Sequence, residues 1–307
     1  TLIATEDLLI TDSEAVTHYP LEQLINRVVL GDCLQVLQKL PAESVDMVFM
    51  DPPYFLQLPN RKLVRWNVKT AVEGVQDVWD RFESFEEYDH FLSTLLKELQ
   101  RVMKPAATIW VIASYHSLFR IGKIMQDLGY WILNDVIWLK KNPMPNWLRV
   151  RFTNATETLI WAVKDKNAKG YAFHQTYARA FGVGSIGANV WVIPICAGKE
   201  RLRNGDGSRV HSTQKPAELL RRAILTTSRE GDVILDPVAG VGTTGVVAHA
   251  LGRRFIMVEV NPLYTAAIQE RFRTPLKVST AASVEREKDT EAYLKLDADA
   301  SDEETLP

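Results

Sequence analysis

Hydrophobic residues along the chain fall into seven short runs, rich in β-branched and aromatic side chains, with longer amphipathic stretches between them. Continuous apolar runs of this length predict strands that are covered on both faces of a sheet. The predicted strands span residues 27–31, 45–50, 107–113, 134–139, 158–163, 232–236 and 254–259.

The amphipathic stretches have apolar residues three and four positions apart, which predicts helices. The predicted helices span residues 34–40, 85–103, 116–128, 216–228, 243–251 and 262–272. This alternation predicts an α/β protein with a seven-stranded, mostly parallel, doubly wound sheet. Strands 134–139 and 158–163 have no crossover helix between them, so we expect that pair to be antiparallel. Long loops are expected near residues 55–83, 140–156 and 165–210, and loops of such length in a compact domain are usually functional.

Composition changes this picture little, because the 307 residues carry a formal net charge of only −2 and two cysteines. Two cysteines exclude a disulfide framework and favour a reducing compartment. No apolar run reaches the roughly 18 residues of a membrane helix, and the first residues lack a signal-peptide layout, so we expect a cytoplasmic protein. Residues 276–307 hold nine acidic and four basic side chains. We expect a disordered acidic tail there, after a single domain over residues 1–275.

The first motif with chemical content is Asp51-Pro52-Pro53-Tyr54, which directly follows the predicted strand 45–50. Ligands of open α/β sheets bind beyond the carboxyl ends of the strands. Two prolines there hold a stiff backbone that presents a carboxylate, a carbonyl and an aromatic ring. An ordinary strand-ending turn is the alternative, since Asp and Pro are common turn residues.

A glycine-containing motif at residues 236–244 follows a second predicted strand and opens a helix. Gly240 and Gly242 let a ligand approach the backbone, and the start of the helix offers unpaired N–H groups. Together with Gly245 the spacing is G-x-G-x-x-G, and Glu259 ends the next strand, where a carboxylate binds ribose hydroxyls. The pattern predicts a nucleoside cofactor, and on this evidence NAD remains an alternative.

Two shorter motifs add polar groups to the same edge of the sheet. The sequence HSTQKP at residues 211–216 contains Lys215, which is suited to neutralise a carboxylate on a ligand, and Thr213, which adds a hydroxyl. A helix cap with a solvated lysine is the alternative. Asp32 follows the first strand and is placed to accept a hydrogen bond from an adenine amino group, whereas Cys33 is expected to be a small buried residue.

Taken together, the motifs at residues 51–54, 211–216 and 236–244 resemble those of the amino-group DNA methyltransferases that use S-adenosylmethionine. Their order resembles the circularly permuted arrangement, in which the catalytic motif precedes the cofactor loop. The resemblance implies the Rossmann-like methyltransferase fold. One departure is Val238, since that family usually has an aromatic residue there.

Longer stretches are similar to the cell-cycle-regulated adenine methyltransferases of the CcrM type, which methylate adenine N6 in GANTC. This similarity covers about residues 27–273. Its segments are FESFEEYDHF, SYHSLFRIG, QDLGYWILNDVIWLKKNPMPN and RFTNATETLIWA.

The resemblance implies roles for individual residues. Asp51 and the Pro52 carbonyl would accept the two amino hydrogens of a flipped-out adenine, and Tyr54, after Pro53, would stack on the base. The residues implied in binding S-adenosylmethionine are Asp32, Cys33, Asp51, Thr213, Lys215, Asp236, Pro237, Gly240, Gly242, Thr243, Thr244, Glu259 and Asn261.

Two loops in which basic side chains surround a tryptophan are expected to contact DNA phosphates and bases, with solvated charged loops as the alternative. The predicted DNA-binding residues are Arg61, Arg65, Lys140, Lys141, Trp147, Arg149 and Arg151. The histidines and cysteines have no metal-ligand spacing, so we predict no metal.

Other functions remain open at this stage. An N4-cytosine methyltransferase is the first alternative, because cytosine N4 is the same kind of amine, although Asp rather than Ser at position 51 favours adenine in that family. A catalytically silent nucleic-acid-binding relative is the second. The resemblance also implies DNA as the partner, location at the nucleoid, a homodimer and a cognate restriction endonuclease, as in restriction-modification, with no membrane contact.

Overall fold

A computed structural model describes residue 3, residues 6–55, 82–146, 149–183, 187–274 and 276, and the backbone of residues 63–64 and 71–72. The strands are β1 (Leu9–Thr11), β2 (Arg27–Leu30), β3 (Val45–Met50), β4 (Leu63–Val64), β5 (Ala71–Val72), β6 (Met103–Ala113), β7 (Trp131–Lys140), β8 (Thr156–Val163), β9 (Val190–Ile193), β10 (Val233–Asp236) and β11 (Arg254–Glu259). Strands β4 and β5 pair with each other as a separate antiparallel ribbon.

The main sheet has nine strands within the described ranges, in the order β1-β2-β11-β10-β3-β6-β8-β7-β9. The predicted count of seven is therefore wrong, because the three-residue β1 and the four-residue β9 are too short to stand out as apolar runs. The predicted α/β class is confirmed. Strand β8 runs antiparallel to β7, as expected, and also to β6, whereas the remaining neighbours are parallel.

The helices are α1 (Leu21–Leu24), α2 (Cys33–Lys39), α3 (Phe85–Val102), α4 (Leu118–Asp127), α5 (Gln175–Phe181), α6 (Ala217–Thr227), α7 (Thr243–Ala250) and α8 (Pro262–Arg273). All six predicted helices form, with each end within two residues of its predicted position. Helices α1 and α5 were not predicted because so few residues carry no clear periodic pattern. Helix α5 and strand β9 also divide the segment 165–210, which we had expected to be one long loop.

Alternation along the strands divides the core into two layers. Val48 and Met50 of β3 join the cluster beneath α1–α4, whereas Met47 and Phe49 join the cluster beneath α5–α8. Successive side chains of a strand point to opposite faces, so the central strands have apolar residues on both faces. The expected tail lies, apart from residue 276, outside the described residues.

The carboxyl ends of four adjacent strands, β2, β11, β10 and β3, meet at one edge of the sheet. This edge is where open α/β sheets bind ligands. Because β8 runs in the opposite direction, its first residues lie at the same edge as the last residues of β7, and Glu157 pairs with Trp138 in the ladder. The functional edge is therefore formed by the carboxyl ends of several strands and by the first residues of β8.

Candidate active site

A cavity of about 330 Å³ lies at this edge. Residues from all four strand ends line it, together with the segment that precedes α6. Its lining includes Asp32, Cys33, Asp51, Pro52, Pro53, Tyr54, His211, Thr213, Lys215, Asp236, Pro237, Val238, Gly240, Thr243, Thr244, Glu259 and Tyr264. The structure thus brings together residues from four separate motifs.

The turn between β10 and α7 forms one wall of the cavity. Gly240 and Gly242 have φ of +53° and +72°, in the left-handed region that favours glycine. A Cβ on Gly242 would lie 2.8 Å from Cγ1 of Ile268, so this glycine packs against α8 rather than lining the cavity. Gly245 lies against Met257 in the same way, where a Cβ would come within 2.3 Å of that side chain. Gly242 and Gly245 thus serve packing, whereas Gly240 lines the cavity.

Asp236 is buried at the base of this turn. The Val238 N–H donates to its Oδ1 at 3.1 Å, and the Thr244 hydroxyl donates to its Oδ2. Burial raises the pKa of Asp236 to about 7, although both hydrogen bonds act in the opposite direction. Asp236 therefore holds the turn together while its remaining lone pairs lie at the cavity.

Glu259 ends β11 on the neighbouring strand. Its Oε2 accepts the Gly240 N–H at 2.7 Å and its Oε1 accepts the Asn261 N–H at 2.8 Å. Burial raises the pKa of Glu259 to about 7. Each carboxylate oxygen has two lone pairs, so both can still accept a hydroxyl. Asn261 does not line the cavity, since its Oδ1 caps α8 by accepting the Leu263 N–H.

The end of β2 contributes Asp32 and Cys33. Asp32 Oδ1 caps α2 by accepting the N–H groups of Leu34 and Gln35 at 3.0 and 3.1 Å. Cys33 is buried, as expected for a small apolar residue, and burial raises the pKa of its thiol to about 12. The thiol is therefore a wall of the cavity and not a nucleophile.

His211 and Thr213 also line the cavity. The Thr213 N–H donates to His211 Nδ1 at 3.1 Å, and the His211 ring lies against Tyr264 with centroids 4.8 Å apart. Burial, with the nearby Lys215 and Arg201, lowers the pKa of His211 to about 4. His211 is therefore a neutral wall of the site at physiological pH.

At the end of β3, Asp51 is held by two donors. The Tyr54 hydroxyl donates to its Oδ1 at 2.8 Å, and Lys215 Nζ lies 2.8 Å from its Oδ2. Burial raises the pKa of Asp51, while Lys215 opposes this effect and Glu157 adds to it. The pKa of Lys215 is nevertheless above its usual value, because these two carboxylates outweigh the effect of burial. Lys215 was expected to neutralise a carboxylate of the ligand, whereas here its charge is matched by carboxylates of the protein.

The turn at residues 51–54, the candidate catalytic turn, rests on α3. The hydroxyl of Tyr88, which is fully buried, donates to the Pro53 carbonyl at 2.7 Å. Phe55 follows the turn with φ of +48°, an uncommon value for a non-glycine residue, and its ring stacks on Tyr88 at 5.8 Å. Phe82 and Phe91 extend this aromatic cluster to the cavity wall.

Those predicted DNA-binding residues that the structure describes do not line the cavity. Lys141, Arg149 and Arg151 are exposed, and Arg151 contacts the hydroxyl of Tyr115 just beyond the end of β6. Lys140 departs from expectation, because its Nζ lies 2.8 Å from Glu157 Oε1 and only 14% of its side chain is exposed. Arg61, Arg65 and Trp147 lie outside the described residues.

Glu157 is a charged residue of this edge that the sequence analysis did not predict. It contacts both Lys140 and the Tyr54 hydroxyl, the latter at 3.2 Å. The available signal was the antiparallel direction of β8, which places the first residues of that strand at the functional edge. An acidic residue at the start of such a strand is a candidate for the site.

The described residues contain no group of three His, Cys, Asp or Glu side chains arranged to hold a metal ion. No helix among them is both long enough and apolar enough to cross a membrane.

Comparison with known proteins agrees with this arrangement. The profile of the N6 and N4 methyltransferase family, described as DNA methylase, matches residues 45–270. Type II methyltransferase M.HinfI of Haemophilus influenzae is 44% identical over 253 residues, covering 82% of this chain and 70% of the relative. Type II methyltransferase M2.DpnII of Streptococcus pneumoniae is 37% identical over 249 residues, covering 80% and 90% respectively.

Solved structures share the fold. The PvuII DNA methyltransferase (cytosine-N4-specific) has a TM-score of 0.61 at 21% identity, covering 88% of this chain and 92% of its own. The M1.HpyAVI-SAM complex has a TM-score of 0.59 at 21% identity, covering 80% and 98%. With a family profile that matches most of its length and relatives of such high identity, the chain belongs to the DNA methylase family and is a DNA methyltransferase.

Proposed function

We propose that the chain transfers a methyl group from S-adenosylmethionine to the N6 amino group of an adenine flipped out of DNA, within the sequence GANTC. One observation carries this proposal. Asp51 at the end of β3 and Glu259 at the end of β11 line the same cavity. A group that accepts hydrogens from an amine and a group that accepts hydroxyls of a nucleoside are thus within one site.

The residues of the cavity fit S-adenosylmethionine. Gly240 lies in the left-handed region, and a Cβ there would lie 3.2 Å from His211 Nε2. Because glycine has no Cβ, its backbone remains accessible to the ligand. Glu259 would hold the ribose hydroxyls, Asp32 the adenine amino group and Thr213 the carboxylate. When bound, S-adenosylmethionine supplies an electrophilic methyl group on a sulfonium, which is a good leaving group.

Asp51 addresses the weakness of an exocyclic amine as a nucleophile. The lone pair of that nitrogen is delocalised into the ring, and two acceptors for its hydrogens localise the pair. Asp51 Oδ and the Pro52 carbonyl supply these acceptors, and the carboxylate stabilises the positive charge that develops on nitrogen. Burial raises the pKa of Asp51, which favours uptake of the proton that the methylated amine releases. Positioning the reactants in line contributes up to roughly 7–11 kcal/mol in favourable cases.

A base inside the duplex cannot reach this cavity, so it must rotate out of the stack at a cost of a few kcal/mol. Tyr54 lines the cavity beside Asp51 and would stack on the extruded base. Lys141, Arg149 and Arg151 are exposed along the segment between β7 and β8. We assign these three to the phosphates of the DNA backbone.

In the family that the sequence resembles, Asp at position 51 favours adenine over cytosine as the target base. The two relatives named Type II methyltransferases support a site-specific enzyme of a restriction-modification pair. We therefore also propose a cognate restriction endonuclease, action in the cytoplasm on DNA of the nucleoid, and a homodimer.

The test is incubation of the purified chain with labelled S-adenosylmethionine and mixed-sequence DNA, followed by nucleoside analysis and mapping of the modified positions. The expected product is N6-methyladenine in GANTC. N6-methyladenine in other sequences would refute GANTC as the recognition sequence. N4-methylcytosine would show that the target base is cytosine and not adenine. DNA binding without methyl transfer would show that the chain is a catalytically silent relative.

A further inference from the structure

Five side chains form a buried cluster behind the catalytic turn. Asp51 and Glu157 are its carboxylates, Lys215 and Lys140 are its ammonium groups, and Tyr54 contributes a hydroxyl. Its two negative and two positive charges balance. None of its charged side chains is more than 22% exposed.

Two donors of this cluster each have two acceptors within reach. The Tyr54 hydroxyl lies 2.8 Å from Asp51 Oδ1 and 3.2 Å from Glu157 Oε2. Lys215 Nζ lies 2.8 Å from Asp51 Oδ2 and 3.6 Å from Glu157 Oε2. Both donors are closer to Asp51, and Glu157 is the second acceptor for both.

This arrangement bears on how Asp51 meets its substrate. A hydroxyl has one hydrogen, so Tyr54 donates to one carboxylate at a time. Every hydrogen bond that the protein donates to Asp51 stabilises its charge and weakens it as an acceptor for the amine. A second carboxylate that accepts these donors would restore the basicity of Asp51 when the amine arrives.

We propose that Glu157 is a positioning residue for methyl transfer, which takes the hydrogen bonds of Tyr54 and Lys215 when the target amine reaches Asp51. This role rests on the proposed function, and the comparisons with known proteins assign no role to Glu157. It requires only small movements, namely rotation of one hydroxyl and a shift of one ammonium group.

The surroundings of Glu157 suit this role. Glu157 pairs with Trp138 of β7, and the next residue, Thr158, pairs with Ala113 of β6, so the sheet holds the backbone at the start of β8. Burial would raise the pKa of Glu157, but Lys215 and Lys140 together lower it, and the group stays a carboxylate. Lys140, 2.8 Å away, keeps Glu157 in place while the other partners move.

Glu157 also acts on Asp51 through its charge. The described charged and titratable groups that face Asp51 are Lys215, Glu157, Tyr54 and Asp236. Burial raises the pKa of Asp51 most, and the negative charge of Glu157 adds to that rise. Removing this charge should lower the pKa of Asp51, so that activity persists to lower pH.

The variant Glu157→Gln removes the charge and keeps the size of the side chain. Glu218→Gln is a matched control, because Glu218 also lies between two cations, with Arg221 Nε at 2.7 Å and Arg222 Nε at 2.6 Å. Glu218 does not line the cavity. Both variants are compared with the parent for kcat against pH, KM for DNA and Kd for S-adenosylmethionine.

We expect kcat of Glu157→Gln to fall about 10-fold or more, with KM and Kd within about twofold of the parent. The acidic limb of its kcat profile should move to lower pH. Binding to DNA with 2-aminopurine at the target should give the parent's fluorescence, since base extrusion does not need Glu157. Glu218→Gln should keep the parent's kcat and acidic limb.

A fall in kcat without movement of the acidic limb would mean that Glu157 is merely structural, and an unchanged kcat would also overturn the proposal. In the double variant Glu157→Gln, Tyr54→Phe, the two losses should not add, because Glu157 acts partly through that hydroxyl. Fully additive losses would contradict the exchange of hydrogen bonds. Absence of methyl transfer in the parent would instead refute the proposed function.

Discussion

Replacing Tyr88 by phenylalanine removes one hydroxyl from beneath the catalytic turn. That hydroxyl donates to the Pro53 carbonyl at 2.7 Å, and Tyr88 is fully buried in the core between α3 and the sheet. The ring would keep its stacking on Phe55. The variant therefore isolates a single hydrogen bond that fixes the backbone two residues after Asp51.

The magnitude follows from two costs. A buried carbonyl that loses its partner costs about 1–3 kcal/mol of stability. A displacement of about 1 Å in a catalytic group costs roughly 100-fold in rate. We expect the turn to relax by part of that distance, so kcat of Tyr88→Phe should fall about 10-fold to 100-fold, which corresponds to about 1.4–2.7 kcal/mol of activation free energy.

The assay is kcat for methyl transfer at saturating substrates, with urea unfolding of the same samples. Tyr130→Phe is the matched control, because its buried hydroxyl also donates to a backbone carbonyl, that of Leu96 at 2.8 Å. This variant should lose stability but keep kcat within about twofold, since Leu96 lies away from the turn. If Tyr88→Phe loses stability and keeps the parent's kcat, the hydrogen bond does not position the catalytic turn.

Three further predictions concern other parts of the site. Burial raises the pKa of Glu259 from 4.5 to about 7, so the folded chain keeps a proton that the unfolded chain releases, and stability falls as pH rises through that range. Glu259→Gln should therefore gain free energy of unfolding relative to the parent between pH 4.5 and pH 7, measured by urea unfolding without cofactor; a constant difference would contradict this. Gly242→Ala should lose about 1–3 kcal/mol, because φ is +72° and the new Cβ would lie 2.8 Å from Ile268; an unchanged melting temperature would refute the assigned strain. Lys141→Ala and Arg149→Ala should each reduce the slope of log DNA affinity against log salt by about 0.9, and an unchanged slope would remove that residue from the phosphate contacts.

Most of the sheet could be predicted from the sequence, because its central strands are apolar on both faces and stand out as continuous runs. Strands β1 and β9 were missed, since three or four residues at the edges of a sheet carry little pattern. Most of the motif residues that line the cavity could also be predicted, since they follow the carboxyl ends of strands, and neighbouring strand ends meet. The motif at residues 211–216 is the exception, because it precedes α6.

Contacts between distant segments could not be predicted in the same way. From its sequence neighbours, Lys140 is one of several basic residues expected in a loop. Its contact with Glu157 arises from the pairing of β7 with β8. The periodicity of α3 predicts that Tyr88 is buried, but not that its hydroxyl reaches Pro53, 35 residues away. Such partners depend on how separate elements pack, which local patterns do not encode.

The variant Asp51→Ala tests most directly whether Asp51 serves methyl transfer separately from cofactor binding. Calorimetric titration gives its Kd for S-adenosylmethionine, and a single-turnover assay gives its rate of methyl transfer to DNA. On the roles proposed above, Asp51 accepts the amine and Glu259 the nucleoside, so we predict a Kd within about threefold of the parent and no detectable transfer. Normal transfer by Asp51→Ala would contradict the central role of this carboxylate.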